Sequence, residues 1–204
     1  MNFDRYAKNW DTDFRINRAK EIANEIESTI ECNKNDAAME FGCGTGLISF
    51  NLIDRFKSIT LIDSSGGMID ILNNKIAKFD IKNMSTYHLD ITADAKPDSS
   101  YDVIYTSMVL HHIEDTRDII KQFYTLLHDK GQLCIVDLNK EDGRFHKNRR
   151  EFKGHNGFDQ AELKRILLDT GFENVETRTF FHGEKKIEDE TVEYSLFIMK
   201  AQKV

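Results

Sequence analysis

Proline is almost missing from this chain: Pro97 is the single one among 204 residues. That excludes proline-rich linkers and extended polyproline segments between domains. Cysteine is scarce too. Cys32, Cys43 and Cys134 are three in number and form no CxxC pair, which argues against a disulfide framework or a cysteine-built zinc centre. No metal site of any kind is read from the spacing, and a reducing cytoplasm is the expected location. Long apolar runs are also lacking. Val103 to Tyr105 and Met108 to Leu110 fall far short of the about 20 residues that cross a bilayer. The opening Met1-Asn2-Phe3-Asp4-Arg5-Tyr6 mixes charges with aromatics and has no signal-peptide core. Neither membrane nor export is expected. Finally, there is no basic excess: 28 Lys and Arg face 35 Asp and Glu, for a net charge of −7. Nucleic acid needs a basic footprint, so it is not an expected partner.

What remains is an ordinary globular composition, 40% hydrophobic and 31% charged, at a length that buries a core without staples. One domain over 1–204 is expected. Apolar residues recur at three- and four-residue steps from Asp13 to Ile30, predicting an amphipathic helix. Ala37 to Phe41 then reads as a strand, followed by a glycine-rich turn and an apolar helical run, Leu47 to Ile53. The alternation continues: a strand at 58–62 ending at Asp63, a helix at 68–77, strands near 85–89 and 103–106, a helix at 117–127 and a strand at 132–136. A late helix spans Asp159 to Thr170, with Gly171 as its stop, before two antiparallel strands near 175–181 and 192–200. Such alternation predicts an α/β fold, a Rossmann-like doubly wound, mostly parallel sheet with helices on both faces. Within it, 1–31 supplies an N-terminal segment and helix, 36–137 the ligand-binding core, and 159–204 the closing helix and strand pair. The polar stretch 138–158, which gathers Arg144, Lys147, Arg149, Arg150 and Lys153, reads as an exposed insertion. Its basic residues could hold an anionic group, although such runs are commonly a solvated face.

Gly42, Gly44 and Gly46 sit directly after a strand and before a helix, where the chain must reverse tightly and a ligand can approach bare backbone. A dinucleotide fingerprint wants GxGxxG or GxGxxA. Counting from Gly42 or Gly44 puts Leu47 or Ser49 at the last place, so the spacing argues against NAD.

The run Glu40-Phe41-Gly42-Cys43-Gly44-Thr45-Gly46 resembles the first motif of the class I S-adenosylmethionine-dependent methyltransferases. Later segments agree in order, and the resemblance covers residues 36 to 199. It implies a seven-stranded sheet, six strands parallel and one antiparallel. It also implies that S-adenosylmethionine is the cofactor, with its methionine end on the glycine turn, and that S-adenosylhomocysteine is the product. Asp63 matches the acidic residue that accepts both ribose hydroxyls, a task suited to an acceptor-only carboxylate. Ser64 and Met68 fall where the family lines the ribose and adenine pocket. Leu89-Asp90-Ile91 resembles the segment that contacts the adenine, with helix capping as the plainer reading of Asp90. Tyr101 to Ile113, with Ser107 and Met108 on the cofactor side, is similar to the fourth strand and following turn of the small-molecule branch. Tyr6 and Trp10 match a Tyr-x-x-x-Trp segment that closes over the cofactor; packing of Trp10 onto the sheet is the alternative. Cys43 reads as a small packing residue within the turn.

A sulfonium already carries an activated methyl group, so such a protein supplies orientation and exclusion of water. A hydroxyl or ammonium acceptor must also lose a proton, and histidine suits that task. His111 and His112 follow the fourth strand at the edge where ligands bind, and they are the candidate catalytic residues; packing under the loop and hydrogen bonding to backbone are the plainer reading. His155 lies close enough in sequence to the late helix to be considered at the acceptor too. The expected partner is a small-molecule methyl acceptor, and the chain is expected to be a monomer or homodimer. A non-catalytic cofactor-binding or partner-binding module on the same fold remains the alternative, since fold alone does not secure function.

Overall fold

The computed structural model describes residues 3–90, 100–147 and 152–204. Ile91, Pro97, Arg149 and Arg150 therefore lie outside the described residues.

Four helices begin where a short polar side chain satisfies an orphan backbone N–H. Thr12 caps α1 (Asp13–Thr29) and Ser65 caps α3 (Gly66–Lys78). Asp115 caps α4 (Thr116–Leu126), and Asp159 caps α5 (Gln160–Thr170). Gly171 ends α5 at φ 109°, a left-handed position that glycine occupies without a Cβ penalty. The apolar run after the glycine turn forms less helix than expected. Its first residues, Leu47 and Ile48, are spent in the turn, leaving α2 (Ser49–Leu52) and a 3₁₀ turn at Ile53–Arg55.

The strands are β1 (Ala37–Phe41), β2 (Ser58–Asp63), β3 (Met84–His88), β4 (Tyr101–Ser107), β5 (Leu127–Leu138), β6 (Phe172–Ile187) and β7 (Glu190–Lys203). They form one seven-stranded sheet in the order β3-β2-β1-β4-β5-β7-β6. Strands β1 to β5 pair in parallel, whereas β7 runs antiparallel to both β5 and β6. Six strands thus share one direction and β7 opposes them.

Side chains alternate across the sheet and feed two cores. On one face Ala38, Val103, Tyr105, Cys134 and Ile198 pack with Ile22 and Ile26 of α1 and Leu72 of α3. On the other, Met39, Ile104, Leu133, Ile135 and Phe197 pack with Ile120 and Phe123 of α4 and Leu167 of α5. Both faces being covered explains why the central strands read as nearly continuous apolar runs. The chain leaves β1 toward β2 on one side and reaches β4 on the other. The switch point of the sheet therefore lies at the carboxyl end of β1, where doubly wound folds open a crevice.

One expectation needs correction. The stretch 138–158 is not simply an exposed insertion, because Phe145 and His146 are 6% and 5% exposed. Phe145 packs against Tyr194 of β7 and is capped by the Lys185 ammonium 3.9 Å from its ring centroid. Strand β7 supplies an apolar wall, and two aromatic residues in a polar run are enough to dock on it. Nor do the described basic residues Arg144, Lys147 and Lys153 form one patch. Arg144 pairs with Asp142 and Lys147 with Glu190, leaving Lys153 on the wall of the crevice.

Candidate active site

A cleft of about 1980 Å³ opens at the carboxyl ends of β1, β2 and β4. Ordinary single-ligand pockets are about 300–1,000 Å³, so the cleft exceeds what one ligand needs. Glu40, Gly42, Cys43 and Gly44 line it from the first turn, and Asp63, Ser64 and Met68 from the end of β2. Asp90, Ser107 and Met108 line it as well, as do Tyr6 and Trp10 of the N-terminal segment. Gly46 stands apart. It is buried at φ +79°, and a Cβ there would fall 2.6 Å from Leu72 Cδ1. Its role is to let α3 approach the turn. Gly42 is constrained in the same way, since a Cβ at φ +72° would meet Val109 Cγ2 at 2.3 Å.

Asp63 does more than point into the cleft. Its Oδ2 accepts the Gly44 N–H and its Oδ1 the Ser65 N–H, both at 2.8 Å. The carboxylate thus clamps the glycine turn to the start of α3, and each oxygen keeps lone-pair capacity for a second donor. Burial raises its pKa, opposed by those two backbone bonds.

Glu40, at the end of β1, is 2% exposed and accepts a short hydrogen bond from Ser49 Oγ, which itself lies 2.6 Å from the Tyr105 hydroxyl. Burial pushes the Glu40 carboxyl from 4.5 up to about 8, with the Ser49 bond opposing and the charge of Asp63 adding to the rise. A carboxyl raised in the folded state holds a proton that the unfolded chain has already released. Stability should therefore fall as pH rises between about 4.5 and about 8, and level off above. Glu40→Gln removes that slope. The thermal midpoints of the two cofactor-free proteins should nearly coincide at the acid end of this window and separate toward its alkaline end, with the amide variant the more stable. Parallel midpoints throughout would contradict the assignment.

Two carboxylates from the N-terminal segment were not legible in the sequence. Asp4 Oδ1 accepts from Ser65 Oγ (2.7 Å) and the Gly67 N–H (2.8 Å), and these bonds hold its pKa below the ordinary range. Asp11 accepts from Thr45 Oγ1 and pairs with the Lys75 ammonium, both at 2.5 Å. Together they fasten the segment across α3 and the glycine turn, with Tyr6 and Trp10 between the two anchors. The Trp10 ring faces the Arg15 guanidinium at 4.2 Å, so one of its faces already holds a cation.

His111 and His112 lie on the 3₁₀ turn Leu110–His112 beyond β4 and line the same cleft. His111 is 1% exposed, and its Nδ1 donates to Asp137 Oδ1 at 2.5 Å. Asp137, itself 0% exposed, also accepts the His111 and Leu138 backbone N–H groups. The carboxylate thereby fixes the ring orientation, with Nδ1 of His111 turned to Asp137. His112 lies beside it, tilted at 45° with 4.1 Å between centroids, and meets Phe3 edge-on at 5.5 Å. The structure adds a third imidazole, His146, 5.1 Å from His111 and 5.5 Å from His112 by ring centroids. Nothing in its local spacing marks it out.

His155 is not at this wall. Its Nε2 lies 2.9 Å from the Ile113 carbonyl and 3.1 Å from Thr116 Oγ1, tying its loop to the turn before α4. The neighbouring Gly154 touches the histidine turn directly, since a Cβ there would sit 2.0 Å from the His111 carbonyl oxygen. Gly154→Ala should cost about 1–3 kcal/mol of stability, as overpacking does. An unchanged urea midpoint would show that the two loops do not pack as described.

The chain's relatives agree with this architecture. The family signature described as a methyltransferase domain matches residues 14–177. An uncharacterized methyltransferase of Schizosaccharomyces pombe is 30% identical over 152 residues, covering 68% of this chain and 54% of the relative. Malonyl-[acyl-carrier protein] O-methyltransferase 1 of Ilyobacter polytropus is 28% identical over 138 residues, covering 66% and 50%. The chain thus spans about half the length of the curated relatives it matches. Among solved structures, a phosphoethanolamine N-methyltransferase 2 of Haemonchus contortus in complex with S-adenosyl-L-methionine superposes with a TM-score of 0.74 at 14% identity, over 100% of this chain and 60% of that one. The chain belongs to the methyltransferase-domain family and has the class I fold of the S-adenosylmethionine-dependent methyltransferases.

Proposed function

We propose that this chain transfers the methyl group of S-adenosylmethionine to an oxygen, nitrogen or carbon atom of a small molecule by in-line displacement. The observation that carries the reading is one continuous cleft with two chemically different ends. One end has the glycine turn with Glu40 and Asp63, and the other has the histidines with Asp137 behind them. Asp63 accepts the ribose hydroxyls, while Met68 and Asp90 flank the adenine. Glu40 faces the cationic methionine end, whose charge favours the ionised carboxylate that burial alone disfavours. The acceptor occupies the histidine end, where His111 and His112 orient it and draw off its proton.

The protein contributes chiefly position. Asp4 and Asp11 hold the N-terminal segment over the cleft, which excludes water, and the fixed ring of His111 sets the approach of the acceptor. A curated relative named a phosphoethanolamine N-methyltransferase, 26% identical over 177 residues, supports a small acceptor, and the net charge of −7 speaks against nucleic acid. The test is incubation with S-adenosylmethionine and a panel of small hydroxyl, amine and thiol compounds. S-adenosylhomocysteine should accumulate only when an acceptor is present. Tight cofactor binding with no release across a broad panel would favour a binding module that keeps the fold.

A further inference from the structure

We propose that His111, His112 and His146 form a site for one divalent transition-metal ion, zinc foremost, which binds a hydroxyl or thiol of the acceptor. One ligand nitrogen from each of the three lies within 4.8 Å of the others. A tetrahedral zinc site brings imidazole nitrogens to about 3.4 Å from one another, given metal–nitrogen bonds of about 2.0–2.1 Å. With His111 held by Asp137, movement of the His112 and His146 side chains would close the difference. Among the described residues no carboxylate or thiolate joins the group. Three imidazoles with the fourth position open is the arrangement of a catalytic centre, whereas a structural centre is closed by four protein ligands.

The surroundings are those of a ligand set. Asp137 accepts a hydrogen bond from Nδ1 of His111 and leaves Nε2 as the ligand atom, the role a carboxylate plays behind a metal-bound histidine. The other two rings are bounded by aromatic side chains: His146 stacks on Phe152 at 3.8 Å, and His112 meets Phe3 and Phe152 at 5.5 Å. Such a shell restricts water and strengthens the field of an ion. All three histidines line the cleft, so an acceptor bound there would be within reach of the open coordination position. Neutral imidazole suits zinc and its neighbours in the transition series better than magnesium or calcium.

For its catalytic half this inference rests on the proposed methyl transfer, whereas the metal site itself rests on the histidine geometry. With the imidazoles engaged as ligands, an acceptor hydroxyl or thiol bound to the ion loses its proton to water in place of direct removal by His111 or His112. Its lone pair forms the new bond to the methyl carbon. The carbon–sulfur bond of the sulfonium breaks with its electron pair left on sulfur, giving the neutral thioether, and the metal keeps its oxidation state. A metal-bound amine would instead surrender the lone pair it needs, so the site selects an oxygen or sulfur acceptor.

The experiment is titration of the tag-free, chelator-stripped chain with Co²⁺, followed by displacement with Zn²⁺. The chain should take up one Co²⁺ with the visible absorption of a tetrahedral site, and Zn²⁺ should abolish the absorption and raise the thermal midpoint. His146→Ala and His111→Ala should each weaken uptake at least about tenfold, while His128→Ala, on the exposed start of β5, should leave it unchanged. Absence of stoichiometric uptake by the wild-type chain overturns the proposal, and this arm does not depend on any variant folding. Equal affinity in a folded His146→Ala protein overturns it as well. Undiminished methyl transfer by verified metal-free chain would remove the catalytic half and leave the proposed function standing. Metal uptake without any acceptor-dependent turnover would do the reverse.

Discussion

Asp63→Ala should weaken S-adenosylmethionine binding by about 2–4 kcal/mol, roughly 30- to 1,000-fold, the usual consequence of truncating a charged hydrogen-bonding group in a partly buried site. Two losses combine. The ribose hydroxyls lose their acceptor, and the Gly44 and Ser65 N–H groups, each 2.8 Å from a carboxylate oxygen, lose theirs. The second loss acts without cofactor, so the unliganded variant should also unfold at lower temperature. Asp63→Asn separates the contributions. An amide can still accept from one backbone N–H but turns its NH₂ toward the other, so it should impair the turn nearly as badly as alanine while keeping one acceptor. Calorimetry showing unchanged cofactor affinity in Asp63→Ala would remove Asp63 from the site.

The second large effect is expected at the other end of the cleft. His112→Ala and His111→Ala should each lower turnover of a proton-bearing acceptor by about 100-fold or more, with cofactor affinity little changed because neither ring belongs to the ribose or methionine end. Asp137→Asn should act in the same direction. It leaves the His111 ring in place but allows the other tautomer, since an amide can donate to Nδ1 where a carboxylate cannot. A turnover number unchanged in His112→Ala would make that residue part of the packing around Phe3 and Phe152.

The parts of this site that could be read in the sequence are those whose chemistry is local. Glu40 to Gly46 carries its own strand-to-helix context, and Asp63 is marked by standing at the end of the next β-branched run. The parallel pairing of β1 with β2, β2 with β3 and β4 with β5 follows from the same alternation of strand and helix, whereas the placement of β4 beside β1 does not. The missing parts are supplied across the fold. Asp4 and Asp11 look like ordinary surface acids until the N-terminal turn is laid on α3. His146 sits in a polar run, and only the docking of Phe145 against Tyr194 brings it to His111. Gly154 and Gly157 read as loop glycines, yet a Cβ at either would strike a backbone carbonyl, that of His111 or of Asn139. The role of Gly46 was also hidden, because a motif spacing says that a glycine is required and not whether ligand or helix requires it.

The division of the cleft into a cofactor end and an acceptor end is tested most directly by a crystal structure of the chain with S-adenosylhomocysteine bound. The account predicts both ribose hydroxyls on the Asp63 carboxylate, the methionine end on the Gly42–Gly44 backbone beside Glu40, and the sulfur facing the imidazoles of His111 and His112. A nucleoside whose ribose lies away from Asp63, or a sulfur turned from the histidine wall, would contradict it.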